Sequence, residues 1–203
     1  MKITKFHANV YTQNSYLVEE QDHCFVIDPG MNGEEILTYI EENHLTMEAV
    51  LLTHAHFDHT KGLRNLAKKG AFTLYLHQEE QKYLNDPLFH YAKMFNDSFM
   101  APQKAIISTF KDLDQLLITG INVTVHHTPG HTIGSSCFEI GVYLFTGDTL
   151  FVNGYGRTDL LTGSIKDMRK SLDYLYHHFS SQTMIHPGHD ESKKLKDVQK
   201  LNP

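Results

Sequence analysis

Apolar and polar residues recur along this chain with two different periods. Residues 2–10, 15–19 and 24–28 are short stretches that read as strands, and the last runs into the turn Asp28-Pro29-Gly30. Residues 33–44 carry Ile36, Leu37 and Ile40 at the spacing of one helical face. The apolar run Ala49-Val50-Leu51-Leu52-Thr53 predicts a buried strand, and residues 60–69 a helix with Leu63, Leu66 and Ala67 on one side and Gly70 as its stop. A looser version follows: a strand at 72–76, a helix at 78–84, an irregular stretch at 86–103, and strands at 121–126, 136–140 and 142–145. Residues 165–179 form the last long amphipathic pattern, through Ile165, Met168, Leu172, Leu175 and Phe179. A short strand at 183–185 comes next, and the tail is open to one more helix.

Strands and helices are thus interleaved, with several hairpin-like pairs. That predicts a mixed α/β domain with helices covering sheet. No repeat, low-complexity tract or linker divides the 203 residues, so one domain spanning 1–203 is expected. Composition leaves this picture unchanged, with 40% apolar and 21% charged residues.

Charge narrows the function classes. The formal net charge is −6, and Lys193-Lys194-Leu195-Lys196 is the one short basic run. A nucleic-acid partner calls for a clustered basic footprint, so none is expected. The N-terminus is too polar for a signal peptide, and no apolar stretch approaches the ~20 residues of a membrane span. Cys24 and Cys137 form no pair motif, so a cytoplasmic protein with reduced thiols is expected.

Histidine changes the picture most. Of the 15, three fall in His54-Ala55-His56-Phe57-Asp58-His59, directly after the buried-strand run. Three imidazoles and a carboxylate in six residues suit zinc, iron or manganese better than calcium. His54 and His56 point the same way in extended chain, and a bend at Phe57 would aim Asp58 and His59 at a neighbouring point. So many ligands in so tight a segment suggest two adjacent ions. A loop of solvated histidines is the competing reading, and the position after a buried strand argues against it. Three more turns follow predicted strands: Thr128-Pro129-Gly130-His131-Thr132, Phe145-Thr146-Gly147-Asp148-Thr149 and His186-Pro187-Gly188-His189. Singly each is weak; in this order they are specific.

With these motifs the chain resembles the metallo-β-lactamase superfamily over nearly its whole length. The resemblance implies an αββα sandwich of two mixed sheets, helices on the outer faces and the site at one edge. It implies that His54, His56 and His131 hold one ion, that Asp58, His59 and His189 hold a second, and that Asp148 bridges them. Both ions would be divalent, zinc first, with iron and manganese as alternatives. Asp28 resembles a carboxylate that accepts the spare N–H of a ligand His, and it equally fits a turn residue.

The stretch Thr146-Gly147-Asp148-Thr149-Leu150-Phe151, followed by Gly156-Arg157-Thr158-Asp159, is similar to the glyoxalase II-like branch, the hydroxyacylglutathione hydrolases. It implies a hydrolase with a metal-bridging hydroxide, a small-molecule thioester substrate, and Asp58 orienting the water as well as ligating. The chain ends 14 residues after His189, so the helical C-terminal region that helps larger members to bind glutathione is expected to be missing. Arg157 and Tyr155 are candidates for substrate contact, and an Arg157–Asp159 pair is the structural alternative. A mono-iron persulfide dioxygenase of the same superfamily is the second reading, with His54, His131 and Asp148 as its triad. A non-catalytic metal-binding domain is the third. Residues 86–103, rich in Phe, Tyr and Met, either pack on the core or form a flap over the site. The oligomeric state stays open.

Overall fold

The computed structural model describes residues 1–8 and 12–200. The first sheet has six strands: β1 (Lys2–His7), β2 (Asn14–Glu20), β3 (His23–Ile27), β4 (Thr46–Leu51), β5 (Phe72–His77) and β6 (Ala105–Phe110), adjacent in that order. β1, β2 and β3 are antiparallel, and β3 to β6 run parallel. The second sheet also has six: β7 (Gln115–Ile118), β8 (Ile121–His127), β9 (Ser136–Ile140), β10 (Tyr143–Gly147), β11 (Met184–Pro187) and β12 (Lys193–Lys194). Only β10 and β11 are parallel neighbours there.

Side-chain alternation explains the layering. In β2, Tyr16 and Val18 enter the core between the sheets while Leu17 faces the opposite side. In β3 and β4, Phe25, Ile27, Ala49 and Leu51 turn inward, and Cys24, Val26 and Val50 turn outward. Both faces are buried, which is why these strands read as continuous apolar runs. Phe138 and Phe145 supply the inner face of the second sheet, and Cys137 and Leu144 its outer face.

Helices cover the two outer faces. α1 (Gly33–Glu42) buries Ile36, Leu37 and Ile40 on the first sheet, and Glu34 and Glu35 sit in its first turn, where the helix dipole favours them. The short helices α2 (Phe57–Thr60) and α3 (Leu63–Leu66) join the same layer. α4 (Ile165–His178) lays Met168, Leu172 and Leu175 on the second sheet, capped by Ser164, whose side chain accepts from the Asp167 N–H at 3.2 Å. The result is the expected αββα sandwich.

Several elements depart from the sequence reading. The helix expected at 60–69 is two short pieces, α2 and α3, interrupted at Gly62. A Cβ there would lie 2.7 Å from the Pro29 carbonyl and 2.9 Å from the Gly33 Cα, so the chain must pass close to α1 at that point. The helix expected at 78–84 is one 3₁₀ turn, Gln81–Tyr83, and the tail holds β12 and a 3₁₀ turn, Leu195–Asp197, in place of a helix. β6 and β7 were not foreseen. Of the strand expected at 2–10, positions 9 and 10 lie outside the described residues.

Candidate metal centre

The loops at one edge of the sandwich carry the seven residues singled out from the sequence. His54 and His56 follow β4, and the chain stays extended at His56 (φ −67°, ψ 152°) before α2 starts at Phe57. The expected bend therefore falls at Phe57, and the first turn of α2 presents Asp58 and His59. His131 follows β8, Asp148 follows β10 and His189 follows β11.

Candidate ligand atoms converge in three overlapping groups: His54, His56 and His131; His54, His59 and Asp148; and Asp58, His59 and His189. Within each group they lie within 4.8 Å of one another. His56 Nδ1 is 2.9 Å from His131 Nε2, and His131 Nε2 is 3.5 Å from Asp148 Oδ2. His59 Nε2 is 3.3 Å from Asp148 Oδ1, and His189 Nε2 is 3.5 Å from both Asp58 Oδ2 and Asp148 Oδ2. Asp148 thus touches both sets, the position of a bridge.

Hydrogen bonds behind the site fix which nitrogens face it. The Thr53 backbone N–H and hydroxyl both donate to the Asp28 carboxylate, at 2.8 and 2.6 Å. With its proton spent on Asp28, the Thr53 hydroxyl accepts from His54 Nδ1–H at 3.1 Å. His54 Nε2 is then left as a lone pair toward the site. His59 Nδ1–H donates to Asp28 at 3.0 Å, so its Nε2 also faces inward. His131 Nδ1–H donates to the Arg157 carbonyl at 2.8 Å, with the same result. Asp28 therefore has both readings at once: a turn residue in the left-handed region (φ 49°) and the acceptor that orients a His.

His54 Nε2, His59 Nε2 and Asp148 Oδ1 are buried without a hydrogen bond. An unsatisfied buried polar atom costs about 1–3 kcal/mol. Imidazole nitrogens and carboxylate oxygens converging on one place fit a divalent cation, which would take the place of the protons between them, so the donor set suits the metal that the sequence points to.

The two sets differ electrostatically. Burial, with His59, His56 and His131 as neighbours, holds His54 well below its ordinary value, and burial beside His131 pushes His56 down to about 3. Both are neutral at pH 7. Burial also disfavours charge on His59 and His189, but the carboxylates outweigh it. Asp148, Asp28 and Asp58 raise His59 well above the ordinary value, and Asp148 and Asp58 raise His189 to about 10. Burial opposes ionisation of Asp58 and Asp148, yet His59 and His189 hold both carboxyls below the usual range. Before a metal binds, the second set is accordingly an array of ion pairs.

A cleft of about 200 Å³ opens on the site, lined by His56, Asp58, His131, Asp148, His90, Tyr91, Met94, Phe95, Arg157 and Leu160. Arg157 is among the lining residues, and its exposed side chain pairs with Asp159 through two bonds of 2.9 Å. Tyr155 packs beneath α4 with the Met168 and Leu172 cluster and is not among the cleft-lining residues. Residues 86–103 divide between their two readings. Phe89, Ala92 and Phe99 are buried in the core against Leu63 and Leu66, whereas Met94, 74% exposed, lines the cleft. Tyr91 joins this segment to the loop beyond Asp148, its hydroxyl accepting from the Leu161 N–H at 2.8 Å.

Sequence reasoning passed over the supports. Thr53 is one. Asn14 and Tyr16 are two more: the Asn14 side chain donates to the Pro187 and Asp190 carbonyls at 3.0 and 2.8 Å, and the Tyr16 hydroxyl to the Pro187 carbonyl at 2.7 Å. They hold the His189 turn from the other sheet. Only Thr53, next to His54, carried a local signal.

The chain belongs to the metallo-beta-lactamase superfamily, whose family model matches residues 8–192. Over its whole length it is 32% identical to a probable metallo-hydrolase, YqgX, of Bacillus subtilis, spanning 97% of that protein. It is 28% identical to the hydroxyacylglutathione hydrolase GloC of Haemophilus influenzae, across 100% of this chain and 97% of that one. The crystal structure of BLEG-1 B3 metallo-beta-lactamase matches with a TM-score of 0.89 and 27% identity, covering 100% of this chain and 98% of its own. TTHA1623, crystallised in a di-iron-bound form, matches with a TM-score of 0.84 and 28% identity, covering 96% of each.

Proposed function

We propose that the protein is a binuclear metal-dependent thioesterase, similar to the hydroxyacylglutathione hydrolases. One observation carries this reading: two ligand sets meet at Asp148, beside a cleft whose own carboxylates, Asp58 and Asp148, are both held ionised. His54, His56 and His131 hold the first ion, Asp58, His59 and His189 the second, and Asp148 serves both. Divalent ions held there, zinc first and iron or manganese as alternatives, supply a nucleophilic water at neutral pH and charge that stabilises an oxyanion.

The chain's own groups do the rest. Asp58 stays ionised, beside His189 Nε2 at 3.5 Å, and accepts a hydrogen bond from the attacking water, which aims it. Asp148, held below the usual carboxylate range, is equally unable to donate a proton to a leaving group. Burial lowers His90, which also lines the cleft, keeping it neutral. A thiol leaves without an acid because its pKa is ~8.5, whereas an amine does not. That difference supports a thioester over an amide. The Arg157 backbone carbonyl orients His131, and its side chain, paired with Asp159 at the cleft, stays the candidate for substrate contact.

We read residues 1–203 as one catalytic domain and its location as cytoplasmic. Cys24 and Cys137 are free and buried, each pushed up to about 12 by burial, so neither thiol is reactive. Among the described residues no helix is long and apolar enough to cross a membrane. The test is thiol release from S-lactoylglutathione and from simpler thioesters by zinc-loaded protein. Hydrolysis of a β-lactam in preference to every thioester, or oxygen uptake with glutathione persulfide by an iron form, would contradict the reading.

A further inference from the structure

Glu80 has no exposed surface, yet it carries a carboxylate that none of the steps above uses. It sits beyond β5, where its N–H donates to the His77 carbonyl at 2.9 Å. Its Oε2 accepts from the Ala55 N–H at 3.0 Å, and its Oε1 accepts from the Gly134 N–H at 2.9 Å. Ala55 lies between His54 and His56. Gly134 closes the turn that begins at His131, a turn further pinned by Thr132 N–H to Ser135 Oγ at 3.0 Å and by Thr128 N–H to the Ser135 carbonyl at 2.8 Å. One carboxylate therefore grips two loops, one from each sheet, and both carry ligands of the same ion.

Gly134 shows that the close approach is built in. A Cβ at this position would fall 2.4 Å from Glu80 Cγ and 2.9 Å from its Oε1. Only glycine lets the carboxylate reach the backbone there. Among the described residues, the other short tie between the backbones of these loops is Ser136 N–H to the Thr53 carbonyl at 3.0 Å. Burial pushes the Glu80 carboxyl up, while the Thr132 side chain and the Gly134 and Ala55 N–H groups favour its ionised form.

We propose that Glu80 is a positioning residue that sets the mutual geometry of His54, His56 and His131 by clamping Ala55 to Gly134 beneath the site. This rests on the reading of those three histidines as ligands of one ion. Groups that orient metal ligands typically change affinity by about 10–100-fold when removed. Glutamine keeps the volume of Glu80 but presents an NH₂ to one of the two N–H donors, so one arm of the clamp must open.

The experiment uses the full chain and cobalt(II) as the probe. Glu80→Gln is expected to weaken binding of the first cobalt equivalent by about 10–100-fold, as judged by chelator competition, and to alter its visible ligand-field spectrum. Gly134→Ala, which displaces the carboxylate without removing its charge, is expected to alter the spectrum in the same way and serves if Glu80→Gln fails to fold. Leu172→Ala, beneath α4, is the control, lowering Tm while leaving cobalt affinity and spectrum as in the wild type. An unchanged cobalt spectrum and affinity in Glu80→Gln, or an equal loss in Leu172→Ala, would overturn the assignment of Glu80 alone. A wild-type chain that takes up no cobalt would overturn the metal reading and this proposal with it.

Discussion

The charge difference between the two ligand sets makes metal uptake a source of protons. In metal-free protein at pH 7, His54 and His56 are neutral, so they give up no proton when the first ion binds. His59 and His189 are protonated, held so by Asp148, Asp58 and Asp28 against the opposing effect of burial. A second ion must expel both protons, because imidazole ligates only when neutral. With His189 at about 10, its deprotonation at pH 7 costs about 4 kcal/mol at 1.36 kcal/mol per unit, or about 10³-fold in apparent affinity. The sign follows: raising the pH toward 10 removes that cost, so the second ion binds more tightly as pH rises. The two His59 and His189 protons together predict a slope approaching two decades of affinity per unit near pH 7. Stepwise zinc addition to metal-free protein, with pH-stat titration and calorimetry in two buffers of different ionisation enthalpy, reads the protons directly. Two from His59 and His189 should appear with the second equivalent, with up to one more from ionisation of the bound water. Equal release for both equivalents, or a second-site affinity independent of pH between 6 and 9, would refute the electrostatic account.

Four further outcomes follow from the geometry. Asp148→Asn should weaken both sites by more than about 100-fold, since losing a shared ligand exceeds losing a group that merely orients one, whereas His189→Ala should spare the first ion; metal analysis after dialysis distinguishes them. Asp28→Asn suits the left-handed backbone at φ 49° but turns an NH₂ toward one of three donors, the Thr53 N–H, the Thr53 hydroxyl or His59 Nδ1–H, so stability should fall by about 1–3 kcal/mol and second-site affinity should drop about 10–100-fold by chelator competition. Phe99→Ala, at a fully buried side chain, should cost about 3–5 kcal/mol in denaturant unfolding. Met94→Ala, at the exposed cleft rim, should change stability by less than about 0.5 kcal/mol while KM for bulky acyl thioesters rises.

The site was legible because its ligand types are rare and local. Six residues from His54 to His59 carry four of the seven candidates, and the turns bearing His131, Asp148 and His189 each follow a recognisable strand. The sandwich was legible where burial is one-sided or complete, as in α1, α4 and the run into β4. It was not legible at the open edges. β6 leaves Ile106 and Ile107 exposed and β7 leaves Leu117 exposed, so apolar residues there do not mark the buried face. The break at Gly62 depends on the backbone of α1 and its approach, which lie nearly 30 residues earlier in the chain. Asn14 and Glu80 act across sheets on other residues' backbones, and a hydrogen bond between distant segments leaves no periodicity to read.

The central claim is a thioesterase that needs both ions. Its most direct test is one titration: metal-free protein receives zinc in steps while thiol release from S-lactoylglutathione is followed at each step. The account predicts little rate after the first equivalent and a plateau at two. A plateau at one equivalent, or no thiol release at any metal loading, would contradict it.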